Sequence, residues 1–173
     1  MDVRNYYEKI QISRNIFRRV SRLKKNLFVL LKLMHKLLPN LFEKFKKNNL
    51  YPTIYASSWY LTCFTNYLSY EYALKVIDCY LNEGPKILHR ISLGLLALKE
   101  NEFLQKTDKF LELMDVMKTV NENIDLDKLF KKSFSFSISR KKINEYENLY
   151  KDPAYKNKPG DEEFMEQVNV ILY

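Results

Sequence analysis

The chain has 173 residues, 46% of them apolar and 14% aromatic, and a formal net charge of +8. That length suits one domain, and three glycines with five prolines leave too few tight turns for a many-stranded sheet, so an all-α fold is predicted. The charge is localised: residues 1–48 carry thirteen Lys or Arg against Asp2, Glu8 and Glu43, a net of +10, while the remainder nets −2.

In chain order, the first element is a basic amphipathic helix within a segment 1–26. Ile16, Phe17, Val20 and Leu23 form a narrow apolar stripe, and Arg14, Arg18, Arg19, Arg22, Lys24 and Lys25 cover the rest. A helical domain over 27–150 follows. Leu27, Leu30, Leu31, Met34, Leu37, Leu38, Leu41, Phe42 and Phe45 recur at steps of three and four. Pro39 disfavours helical geometry at Leu38 but suits a first turn, so two helices meet there, the second ending in the polar run 46–49.

Pro52 and Thr53 open a predicted helix of about 53–67, whose Trp59, Tyr60, Leu61, Cys63 and Phe64 put apolar surface on most sides. Ser69 is placed to cap the next helix, which Ala73, Leu74, Ile77, Tyr80 and Leu81 supply with one face. Gly84 supplies a left-handed stop and Pro85 a fresh start. KILHRISLGLLALKE, 86–100, is apolar nearly all round and belongs at the centre of a bundle.

Beyond it the pattern weakens. Phe103, Phe110, Leu111, Met114 and Met117 mark short helices, and Asp125 is placed to cap another ending at Lys131. FSFSIS, 134–139, alternates like a strand but lacks a partner strand, so it is expected to run extended against the helices. Residues 140–150 read as an exposed helix, and 151–173, polar and interrupted by prolines at its start, as a flexible tail.

Catalytic chemistry finds little footing in this pattern. Cys63 and Cys79 sit in apolar surroundings without CxxC spacing and read as buried free thiols of a reducing compartment. His35 and His89 are far apart, so no metal-ligand set is visible, and no cofactor is implied. Asp78 has no carboxylate partner, and His89 on a buried helix reads as a core histidine. No phosphate loop or nucleophilic triad occurs. The longest apolar run, 27–38, is interrupted by Lys32, His35 and Lys36 and falls short of the ~20 residues of a membrane span. With no secretory signal, a cytoplasmic protein is expected, peripheral on endomembranes if its basic helix docks there. The basic face of Arg14, Arg18, Arg19, Arg22, Lys24 and Lys25 is either a solvated helix side or a surface for anionic lipid. Aromatic residues are not interleaved to stack bases, so nucleic acid is not expected as a partner.

One stretch carries more than periodicity. LYPTIYASSWYLTCFTNYLSYEYALKVIDCYLNEGPKILHRISLGLLALKE, 50–100, resembles the C-terminal half of TBC domains, the GTPase-activating modules for Rab proteins. The matching positions are Tyr55, Trp59, Leu61, Thr62, Phe64, Asp78, Glu83 and Gly84, and the proline-containing pair around 37–49 is similar too, giving a likeness over about 28–135. The resemblance implies an all-α helical bundle, a Rab-type small GTPase as partner, and a role in vesicle traffic. It also places Tyr55, Ser57 and Ser58 as Rab-binding candidates, near the edge where the family carries a catalytic glutamine.

The same resemblance exposes two gaps. Family activity rests on an arginine in an Ile-x-x-Asp-x-x-Arg motif and on a glutamine ahead of the tryptophan helix. ISRNIFRR, 12–19, has arginines without the aspartate, and no glutamine occurs between Gln11 and Gln105. An arginine finger accelerates GTP hydrolysis about 10³- to 10⁵-fold, and a cation placed elsewhere does not reproduce its geometry. The chain is therefore expected to be an incomplete, catalytically silent TBC-like half domain, with no catalytic residue of its own. Half a bundle would leave central helices uncovered. Three outcomes are open: the basic helix folds back as a lid, the chain self-associates through apolar helix faces, or it is a fragment of a longer protein. A second functional reading is an adaptor whose basic N-terminal helix docks on anionic membrane.

Overall fold

The computed structural model describes residues 3–122, 124–153 and 155, with side chains for Gln11 and from Arg14 onward. Ten helices follow one another: α1 (Val3–Leu37), α2 (Pro39–Lys47), α3 (Pro52–Tyr55), α4 (Ser57–Leu61), α5 (Tyr70–Glu83), α6 (Lys86–Leu98), α7 (Glu100–Gln105), α8 (Phe110–Lys118), α9 (Leu126–Ser135) and α10 (Arg140–Lys151). No strand occurs among the described residues. The all-α expectation holds.

The basic segment and the apolar repeat after it form one continuous helix. Nothing between Asn26 and Leu27 breaks it, because no proline or glycine intervenes. From Leu23 onward α1 turns inward, with Leu27, Phe28, Val29 and Leu30 fully buried. The predicted break at Leu38–Pro39 is present, with Pro39 opening α2. Leu41, Phe42 and Phe45 of α2 are buried, and the Phe45 ring meets those of Tyr55 and Phe103 edge-on at 5.8 and 5.0 Å.

The tryptophan segment is not one helix over 53–67. It is α3 and α4, followed by turns through residues 62–67. Cys63 and Phe64 both take positive φ, 48° and 65°, which ends helical geometry there. Phe64 nevertheless reaches the core: its amide donates to the Trp59 carbonyl at 2.9 Å, and its ring stacks on the indole at 5.7 Å. Burying two large rings offsets the backbone strain of these residues.

Ser69 holds the N-cap position of α5, but its hydroxyl makes no capping bond. Gly84 does end α5 at positive φ, with φ 75° and ψ −163°. That is the extended, glycine-only region rather than the expected left-handed helical one. Glu83 beside it bridges to Lys86 and Arg90 of α6, both at 2.8 Å, and the Lys86 hydrogen bond is the main reason its carboxyl titrates below the usual range.

Helix α6 is the centre, with every residue from Ile87 to Leu96 except Arg90 buried. It packs most extensively on α9, and also against α5, α1 and α4. Asp125 caps α9 as expected, accepting from the amides of Asp127 and Lys128 at 2.8 and 3.1 Å. The helix runs on to Ser135, so only 136–139 of the FSFSIS stretch is extended, with Phe136 and Ile138 buried.

Two expectations for the C-terminal part need correction. Helix α10 is not a free, exposed helix: Ile143 is buried, Tyr146, Leu149 and Tyr150 pack on the core, and α10 lies along α1. Within the predicted tail 151–173, Tyr155 is docked: it is buried and meets the Phe28 ring edge-on at 5.7 Å. Residue 154 and the tail from residue 156 onward lie outside the described residues. With α1, α9 and α10 in place, α6 and Trp59 are covered, so the central helices are not left open.

Candidate functional site

The sequence-derived candidates divide between the core and one flank. Tyr55 belongs to the core, with 6% of its surface exposed and its hydroxyl on Met34 Sδ at 3.0 Å, so its ring faces inward instead of toward a partner. Ser57 is half-buried and donates to the Thr53 carbonyl at 2.8 Å. Ser58 is exposed, and Leu61 one turn on is exposed as well. Of the three residues suggested by the resemblance, Ser57 and Ser58 remain on a surface edge; Tyr55 packs behind them.

Trp59 is wholly enclosed between Tyr55, Phe64 and Tyr67, with ring centroids 5.3 to 5.7 Å away. It organises the α4 corner instead of lining a groove. His89 and Tyr60 form a second buried set. The Tyr60 hydroxyl lies 2.7 Å from His89 Nδ1, and Ser92 Oγ is 3.4 Å from that hydroxyl while donating to the Leu88 carbonyl. Burial pushes the imidazole down to about 3 and the phenol well up. Neither group exchanges a proton near neutral pH, so this set is structural. Burial also raises both cysteine thiols, Cys63 and Cys79, and keeps them poor nucleophiles. Asp78 is exposed. Among the described residues, no group of three His, Cys, Asp or Glu is placed to hold a metal ion, and no helix is long and apolar enough to cross a membrane.

The six basic residues of α1 do not share one face. Arg14, Arg18, Arg19 and Arg22 are exposed, Lys25 is half-buried and pairs with Glu147 of α10 at 2.9 Å, and Lys24 is 4% exposed. Helical rotation explains the split: Lys24 follows Leu23 onto the side that meets the core, and its burial lowers its pKa. Arg19, Arg22 and Lys25 instead line a cleft of about 440 Å³ together with Tyr60, Cys63 and Tyr80. Glu147 and the clefts were not singled out in the sequence. The spacing of Ile143, Tyr146, Leu149 and Tyr150 was the available signal that α10 has a buried face.

The profile of the Rab-GTPase-TBC domain matches residues 4–104. The chain belongs to the Rab-GTPase-TBC domain family. The match covers α1 through most of α7, so the basic segment lies within the family region, which starts earlier and ends sooner than the 28–135 expected. Among similar proteins are human ecotropic viral integration site 5 protein homolog, 30% identical over 65% of this chain and 14% of that protein, and human TBC1 domain family member 14, 36% identical over 54% and 13% respectively. The mouse ecotropic viral integration site 5 protein is 28% identical over 68% of this chain and 15% of its own length. The chain thus spans about 13–15% of the length of these relatives. Within this TBC-family chain the matched positions Trp59, Phe64 and Gly84 have structural work: two fill the core and one turns the chain between α5 and α6.

Proposed function

We propose that this chain is a Rab-recognising TBC module of vesicle traffic that does not itself accelerate GTP hydrolysis. The observation that carries this reading is the family match across 4–104, which brings the whole α1–α6 scaffold with it. Ser57, Ser58 and the exposed Leu61 form the edge proposed to meet the GTPase. The arginine and glutamine on which family catalysis rests have no counterpart in the spacing of these residues. The proposed setting is the cytoplasmic side of endomembranes.

The test is twofold, with the purified chain and a panel of Rab proteins. Titration with GTP-analogue-loaded Rabs is expected to show saturable binding to at least one of them. Single-turnover hydrolysis is expected to stay within about twofold of the intrinsic rate, against the ~10³-fold or more that a complete finger set provides. Tenfold stimulation of any Rab would overturn the silent reading, and no binding across the panel would overturn Rab recognition.

The membrane-adaptor reading draws less support from the geometry. A flat anionic surface needs its cations on one convex face, whereas Lys24 turns inward, and Arg19, Arg22 and Lys25 turn toward a concavity.

A further inference from the structure

The concavity flanking α1 combines cations with apolar lining and touches the edge proposed to meet the GTPase only at Leu61. Arg19, Arg22 and Lys25 follow one another at three-residue steps and so share one side of the helix. Leu23, Leu61 and Leu88 give the same cleft apolar lining, and Tyr80 adds an aromatic ring. A second cleft of about 320 Å³ shares Arg22 and Lys25 with the first and adds Phe17, Arg18, Tyr150 and Lys151. Among the described residues, five cations thus line the two clefts against a single carboxylate, Glu147, and that one is tied to Lys25 at 2.9 Å.

Such a surface selects its occupant on two counts. Guanidinium groups pair with carboxylates bidentately, so Arg18, Arg19 and Arg22 favour a partner with several acidic side chains. The exposed Leu61 and the half-buried Tyr80 beside them gain nothing from a purely ionic partner and instead accept an apolar side chain. The volumes lie in the range of built binding sites, and their concavity suits a protruding chain segment rather than a bilayer plane.

We infer that the paired clefts beside α1 bind an acidic peptide segment that presents one aromatic or aliphatic side chain among its carboxylates. Arg19 and Arg22 clamp the carboxylates, and the apolar residue enters between Leu61 and Tyr80. The inference does not depend on Rab recognition, because its readout contains no GTPase.

Fluorescence anisotropy of the full chain with a fluorescein-labelled peptide, EDEFEDE, tests it. The expected result is saturable binding that weakens at least tenfold between about 50 and 300 mM salt, as exposed ion pairs are screened. EDESEDE should bind at least fivefold more weakly, and KRKFKRK not at all. Arg19→Glu/Arg22→Glu should lose tenfold or more. Should that variant fail to fold, Leu61→Trp, which fills the cleft and leaves every charge in place, should also lose affinity while melting like the parent chain. Equal binding of the two acidic peptides, unchanged affinity in a folded cleft variant, or binding to phosphatidylserine vesicles with none to EDEFEDE would overturn the inference.

Discussion

Gly94 of α6 leaves the space that the Ser133 hydroxyl of α9 occupies: a Cβ on Gly94 would stand 2.0 Å from Ser133 Oγ and 3.2 Å from Leu129 Cδ1. Alanine in place of a helical glycine ordinarily stabilises by ~0.5–1 kcal/mol. Here the overlap decides, because the neighbours are enclosed and have nowhere to go. Gly94→Ala is expected to lower unfolding stability by about 1–3 kcal/mol. Ser133 Oγ is itself buried without a hydrogen-bond partner, so Ser133→Ala alone should be neutral or stabilising and should restore part of the loss in the double variant. Urea denaturation of the four proteins measures the coupling directly.

Gly84 is sensitive for another reason. A Cβ there meets only the Arg140 guanidinium at 3.8 Å, yet φ 75° with ψ −163° is open to glycine alone. Gly84→Ala is expected to cost about 1–3 kcal/mol through backbone strain. Gly84→Asn should not recover it, since asparagine tolerates the left-handed helical region and not this one. Matching midpoints for Gly84→Asn and the parent chain would show that the turn has relaxed.

His89 makes stability depend on pH. Its imidazole titrates at about 3 in the folded chain against 6.5 unperturbed, because burial disfavours the charged form. Between those values the unfolded chain binds a proton that the folded chain refuses. This contribution to stability is fully present above pH 6.5 and falls with pH by about 1.4 kcal/mol per unit below it. The urea midpoint should therefore drop between pH 7 and 5, before most carboxylates titrate, and His89→Gln should flatten that part of the profile. A parent chain with no slope there would show the imidazole to be solvated.

Trp59 anchors the corner where α3 and α4 meet α6. Trp59→Ala removes a wholly enclosed indole and is expected to cost ~3–5 kcal/mol, enough to unfold a marginal domain. Its Nε1 is buried without a hydrogen-bond acceptor, so Trp59→Phe gives up volume but also an unsatisfied donor and should cost distinctly less. Thermal melts followed by circular dichroism separate the two. Equal losses would mean that the indole N–H does find a partner.

Much of this organisation was legible along the chain. The apolar steps of three and four from Leu27 to Phe45, the break at Pro39, the cap at Asp125 and the enclosed character of 86–98 are local signals, set by backbone sterics and helical periodicity. The departures arose where long-range contacts outweighed local preference. Cys63 and Phe64 leave helical φ because Phe64 gains a place on the indole, and FSFSIS keeps two residues in α9 because the helix continues to pack on α6. Helix α10 looks solvent-facing when its many charges are counted, yet four apolar residues on one side suffice to dock it.

By itself the sequence determined an all-α chain and its family likeness, since each is a matter of residue identity and spacing. Only the tertiary structure decided which way the side chains face. A helix meeting its neighbours along one stripe assigns adjacent residues to opposite environments, so Lys24 is enclosed while Lys25 reaches Glu147, and Tyr55 is core while Ser58 is surface. The clefts beside α1 exist because α4, α5 and α10 come to rest around it, and no periodicity within α1 encodes those distances.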